Sequence, residues 1–166
     1  NSPIPNNINW TTSGGLVSSG TGNSISYTSN TGNAFTTVKA DYTSTSYIYI
    51  DRESISSIDV SDLGNLLYKL YVQTNQLTSL DVTSNTNLFE LGCGTNSLTS
   101  LDVSANTALD VLGIYKNNLT SIDLQYNTAL TRLICWENSL TSLDVSNNTG
   151  LTQLWCGDNQ LTSLDV

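Results

Sequence analysis

The chain has 166 residues, 38% of them hydrophobic and only 11% charged, with 14 acids against 5 bases, three cysteines and no histidine. That is one domain's worth of material, and a formal charge of −9 argues against nucleic acid, whose phosphates must be met by Lys and Arg. The missing histidine removes the Ser-His and Cys-His nucleophile pairs and the histidine metal triad, so a non-catalytic protein without a cofactor is expected.

Residues 1–45 are rich in Ser, Thr, Asn and Gly, with apolar pairs in INW, GLV, ISY and FTTV. They read as short strands forming a β-rich N-terminal cap, since the end of a stacked array otherwise exposes apolar surface. No apolar run approaches the roughly 18 residues that a membrane helix needs, and a chain opening at Asn1 without a signal peptide reads as a processed, soluble one.

From residue 46 onward a repeat dominates. Closely similar segments start at Leu77, Leu98, Leu119 and Leu140, a period of 21 residues. Leu70, Leu91, Leu112, Leu133 and Leu154 keep that spacing, as do Asn75, Asn96, Asn117, Asn138 and Asn159. Each period contains L-x-x-L-x-C/V/I-x-x-N-x-L, as at Leu67, Leu70, Val72, Asn75 and Leu77. Alternation such as Leu70-Tyr71-Val72 is the pattern of a short strand with one buried face. No coil can bury its Leu set alone, so the coils must stack at roughly the 4.8 Å strand spacing around one core. The Asn after each strand is best explained as a ladder whose amides satisfy backbone groups inside the turn. Ile48 and Ile50 lie 22 residues before Leu70 and Val72, so an irregular first coil is predicted, with Glu53 in the Asn place. Residues 46–166 then make about six coils ending in mid-repeat, and a truncated boundary is preferred over a native assembly contact.

The string resembles the leucine-rich-repeat family, and the LTSLDVS-N-T wording resembles repeats in secreted and surface proteins of the Bacteroidota. The resemblance covers about two thirds of the chain. It implies a right-handed solenoid with a short parallel sheet on the concave face and an irregular convex face. It also implies a secreted or cell-surface interaction module, possible as a subunit of an outer-membrane assembly.

Side chains alternating out of the strands would face the concave surface: Tyr71 and Gln73, Tyr115, Ile134, Trp136 and Trp155, with Gly92, Gly94, Gly113 and Gly157 as low ground around them. Aromatics on a rigid surface are typical anchors for protein partners, and their flat faces also suit sugars. The plainer alternative is that Trp136 and Trp155 pack against each other. Glu90, Lys116, Arg132, Glu137 and Asp158 would supply a polar rim.

Three further rows have structural explanations. Asp81, Asp102, Asp123 and Asp144 invite a calcium reading, but calcium takes six to eight oxygens and each coil offers one Asp, so capping of the following N–H groups is preferred. Cys93, Cys135 and Cys156 share the inward place of Val72 and Ile114 and read as small buried hydrophobes. A Cys135–Cys156 disulfide is conceivable, although the odd count argues against a required one. The Thr row at 78, 99, 120, 141 and 162 bears a weak likeness to ice-binding solenoids. The committed reading is protein–protein interaction; carbohydrate binding by the same aromatics is the alternative, and a structural or assembly subunit, or an ice-binding solenoid, the third.

Overall fold

The computed structural model describes strands at 7–9, 24–29 and 36–39, and then residues 46–51 and 54–166. In chain order the strands are β1 (Asn7–Asn9), β2 (Ser24–Ser29), β3 (Thr36–Lys39), β4 (Ser46–Tyr49), β5 (Ile55–Asp59), β6 (Leu67–Tyr71), β7 (Glu90–Gly92), β8 (Val111–Gly113), β9 (Arg132–Ile134), β10 (Ser142–Asp144), β11 (Gln153–Trp155) and β12 (Ser163–Asp165). A seven-stranded sheet runs β1-β4-β6-β7-β8-β9-β11, and every pair in it is parallel. From β6 onward the register advances by the 21-residue period, Leu70 to Leu91 to Leu112 to Leu133 to Leu154. The first step is longer, Ile48 to Leu70, with an irregularity after Ser46, as the 22-residue spacing predicts. The other face carries only the short β10–β12 pair. β2, β3 and β5 form a separate antiparallel sheet, in the order β3-β2-β5, which places strands within INW, ISY and FTTV. GLV and Glu53 fall outside the described residues.

Stacking gives each inward side chain an identical neighbour above and below. Leu70, Leu91, Leu112 and Leu133 are buried in one column and Val72, Cys93, Ile114 and Cys135 in the next. Each fully buried Leu contributes roughly 2–3 kcal/mol by area removed from water. The three cysteines are free thiols, and burial pushes the Cys93 and Cys135 thiols up to about 12, which keeps them in the unreactive neutral form.

The turn leaving each strand passes through one left-handed residue: Thr74, Thr95, Lys116, Glu137 and Asp158 have φ of 57, 55, 52, 51 and 52°. None is glycine, so each turn costs on the order of 1 kcal/mol. The next residue is the ladder Asn, and its amide spans two coils. Asn117 Oδ1 accepts the Leu98 N–H at 3.0 Å, while Nδ2 donates to the carbonyls of Cys93 and Ile114, both at 3.1 Å. Asn96, Asn138 and Asn159 repeat the pattern on Leu77, Leu119 and Leu140.

A second buried row, Asn85, Asn106, Asn127 and Asn148, has no counterpart in the sequence reading. Asn127 Nδ2 donates to the Val103 and Asn106 carbonyls, both at 2.9 Å, closing the turn on the opposite side of the coil. The Asn-Thr dipeptides holding these residues recur every 21 positions, a signal hidden because Asn-Thr in a loop reads as solvent-facing.

The Asp row caps turns. Asp59, Asp81, Asp102, Asp123 and Asp144 each accept the N–H two residues on, at 2.9–3.0 Å. Hydrogen bonds from the Ser or Thr hydroxyl and N–H hold Asp59, Asp81, Asp102 and Asp144 below the ordinary 3.8, outweighing burial and, for Asp59 and Asp81, the next carboxylate in the row. A carboxylate depressed in the folded state stabilises above its unfolded pKa and loses that contribution as pH falls through the folded value. The urea midpoint is therefore expected to be flat from pH 7 to about pH 5 and to fall below about pH 4. Asp81→Asn, which keeps an acceptor but no charge, should shallow that acid-side slope; urea titrations at stepped pH measure it.

Candidate binding face

Strand alternation sends three columns of side chains out of the seven-stranded sheet. Pairing aligns Tyr47, Lys69, Glu90, Val111, Arg132 and Gln153 in the first column, and Tyr49, Tyr71, Gly92, Gly113, Ile134 and Trp155 in the second. The third, two residues further along, holds Gln73, Gly94, Tyr115, Trp136 and Gly157. All of the expected binding residues stand on this face, beside one another as the 21-residue spacing predicts.

They form two aromatic stations. Tyr115 stacks on Trp136, centroids 5.1 Å apart and planes 6° from parallel, while Trp155 stands in register beside Ile134 and is 55% exposed. The ring partner of Trp136 is Tyr115 and not Trp155. At the other end Tyr49 stacks on Tyr71 at 4.7 Å. Behind it Tyr68 stacks on Phe89 at 4.9 Å and meets Tyr47 edge-on. This second station escapes a sequence reading because the irregular first coil displaces Tyr49 from the 21-residue comb.

The glycines are not uniformly low ground. A Cβ at Gly94 would lie 2.4–2.6 Å from Tyr115 ring atoms, and one at Gly92 would lie 2.8 Å from the Tyr71 ring. Both glycines are seats for tyrosine rings, while Gly157 has nothing within 4 Å and is open as expected. Gln73 is wedged against the Tyr71 seat, its Oε1 3.2 Å from the Cβ position of Gly92, buried and without a hydrogen bond. Gly94→Ala is therefore expected to push Tyr115 off its seat and break the Trp136 stack at a cost of about 1–2 kcal/mol, whereas Gly157→Ala should stay within about 0.5 kcal/mol. Trp fluorescence and urea denaturation of the two variants distinguish them.

The expected rim divides. Lys116 lies 5.0 Å over the Trp136 ring and pairs with Glu137 at 3.7 Å; both are well exposed, so the pair is worth under about 1 kcal/mol. Asp158 is exposed one coil on. Glu90 is not rim: it pairs with Lys69 at 2.5 Å and accepts the Tyr71 hydroxyl. Burial pushes the Glu90 carboxyl up, but the bonds from Lys69 and Tyr71 and the charges of Lys69 and Arg132 outweigh it and hold the group below the ordinary range. Burial, then Glu90 itself, pushes the Tyr71 hydroxyl well up, so it remains a donor. Arg132 is not rim either, because it stands on β9 in the middle of the face between Val111 and Gln153.

No three His, Cys, Asp or Glu side chains among the described residues gather into a metal-binding group. No helix among them is long and apolar enough to cross a membrane.

Comparison places this architecture among leucine-rich-repeat structures. The functional domain of InlJ from Listeria monocytogenes, described as including a cysteine ladder, is 41% identical over 72% of this chain and 27% of that one, with a TM-score of 0.69. A leucine-rich-repeat protein of Leptospira interrogans is 25% identical over 74% and 31%, TM-score 0.59. An internalin of Listeria monocytogenes, inlF, is 22% identical over 72% and 40%, TM-score 0.57, a likeness of fold alone. The chain thus spans 27 to 40% of the length of these structures. No protein-family model matches the sequence, and no curated protein matches it significantly.

Proposed function

We propose that this chain, a leucine-rich-repeat solenoid, is a non-catalytic, cofactor-independent protein–protein interaction module that works outside the cell, secreted or held at the surface as part of a larger assembly. In this reading residues 1–45 close the first coil and residues 46–166 carry the binding face. The carrying observation is the C-terminal aromatic station: Tyr115 stacked on Trp136, with Trp155 exposed beside it, on strands fixed by a continuous hydrogen-bonded sheet. Stacking and sheet pairing have already ordered these side chains, so a partner docking on them loses little further conformational entropy. Trp, Tyr and Arg are the residues that dominate binding energy at interfaces, and all three stand here together. The likeness to a domain of InlJ supports interaction by this fold without naming a partner.

Trp136→Ala combined with Trp155→Ala is expected to weaken capture of a stoichiometric protein partner at least 30-fold, with the melting temperature little changed. Unchanged capture would remove the assignment. A second reading is favoured by the exposed indole of Trp155, a flat ring suited to stacking on a sugar. Binding on a glycan array that is lost with Trp155→Ala would decide for it.

A further inference from the structure

Charge on this molecule is segregated by face. Of its five bases, three fall in the repeats: Lys69, Lys116 and Arg132. All three stand on or beside the aromatic sheet face, whereas Asp59, Asp81, Asp102, Asp123 and Asp144 line turns elsewhere on each coil, engaged with backbone N–H groups. Two of the three bases are neutralised, Lys69 by Glu90 and Lys116 by Glu137. Arg132 is not.

Its exposed side chain makes no ion pair or hydrogen bond among the described residues. The lateral neighbours on the sheet are Val111 and Gln153, and neither is an acid. Glu90, two strands away, is held by Lys69 and Tyr71. Asp110, whose carbonyl accepts the Arg132 N–H, gives its carboxylate to the Thr131 hydroxyl at 2.6 Å. An unpaired guanidinium in an otherwise strongly acidic protein, bordered by Ile134 and Trp155, has fixed fork geometry for a carboxylate and a low-lying apolar surface next to it.

We infer that Arg132 is the charged anchor of the binding face and takes a carboxylate side chain of a protein partner, an Asp or Glu flanked by an apolar residue that packs on Ile134 and Trp155. This rests on the interaction reading above and names the partner chemistry it requires. A protein occupant is favoured over an acidic polysaccharide because a net charge of −9 repels a polyanion, whereas a single carboxylate needs only its local guanidinium.

The test uses the full chain, immobilised, against a random dodecapeptide phage library, followed by titration with synthetic peptides of the selected sequences. Selected peptides are expected to be enriched in Asp or Glu next to an apolar residue. Arg132→Gln should weaken such a peptide roughly 30-fold. The amide form of the peptide should lose as much on the wild type and nothing further on Arg132→Gln, and Arg132→Lys should restore only part. A selection without acidic enrichment, a library yielding no binder, or equal affinity for Arg132→Gln overturns the inference. So does Arg132-dependent binding of uronate oligosaccharides without peptide binding, which would move the site to acidic glycans. If Arg132→Gln is silent while the double Trp variant abolishes capture, the binding face stands and this anchor alone falls; if both are silent, the face falls as well.

Discussion

Asn117→Ala should destabilise the solenoid by about 3 kcal/mol, and Asn127→Ala by about half as much, although Asn127 is fully buried and Asn117 is 8% exposed. The inversion follows from which groups are left alone. The Cys93 carbonyl accepts from both Asn96 and Asn117, and the Ile114 carbonyl from both Asn117 and Asn138, so each keeps one donor after the change. The Leu98 N–H has only Asn117 Oδ1. Losing it strands a buried donor at roughly 1–3 kcal/mol, in addition to the two lost acceptor contacts. Around Asn127 no such orphan appears. The Val103 carbonyl keeps the Asn106 N–H, the Asn106 carbonyl keeps the Leu109 N–H, and the deleted Oδ1 had no hydrogen bond to lose. Urea denaturation of the two variants decides the order; a larger loss for Asn127→Ala would mean that cavity formation outweighs hydrogen bonding in these turns.

Leu112→Ala is expected to cost about 3–4 kcal/mol, the range for a fully buried Leu whose surroundings relax only partly. Leu112 is 0% exposed and in register with Leu91 and Leu133 on either side, so backbone pairing on both flanks prevents collapse into the cavity. Leu164→Ala, at 44% exposure in the last coil, should stay within about 0.5 kcal/mol. Because coils contact only their neighbours, the defect at Leu112 weakens one central interface of a linear stack. The urea transition should therefore broaden as well as shift, as the two halves lose mutual support. A shift without broadening would show that the stack unfolds as one unit even with a weakened joint.

Much of the site was legible before any coordinates. With a fixed period, a residue number modulo 21 gives both the depth of a side chain and its lateral neighbours, which is why Tyr115 beside Trp136 and Ile134 beside Trp155 follow by subtraction. The Asn75-to-Asn159 ladder and the inward cysteines follow in the same way. What failed was inference about how side chains lean. Gly92 and Gly94 read as gaps, yet tyrosine rings occupy the space, because a ring beside a glycine can fold down where no Cβ stops it. Glu90 read as rim, yet Lys69 and Tyr71 draw it inward, since a long side chain reaches across a strand spacing that periodicity treats as separation.

The sequence by itself determined the coil: its length, its buried columns, its Asn and Asp rows, and the register of the sheet, because 21-residue repetition forces identical backbone partners at every level. Only the tertiary structure decided which polar groups are satisfied and which remain available. Pairing among Lys69, Glu90, Lys116 and Glu137 depends on distances of a few ångströms between long side chains, which leaves Arg132 alone on the face.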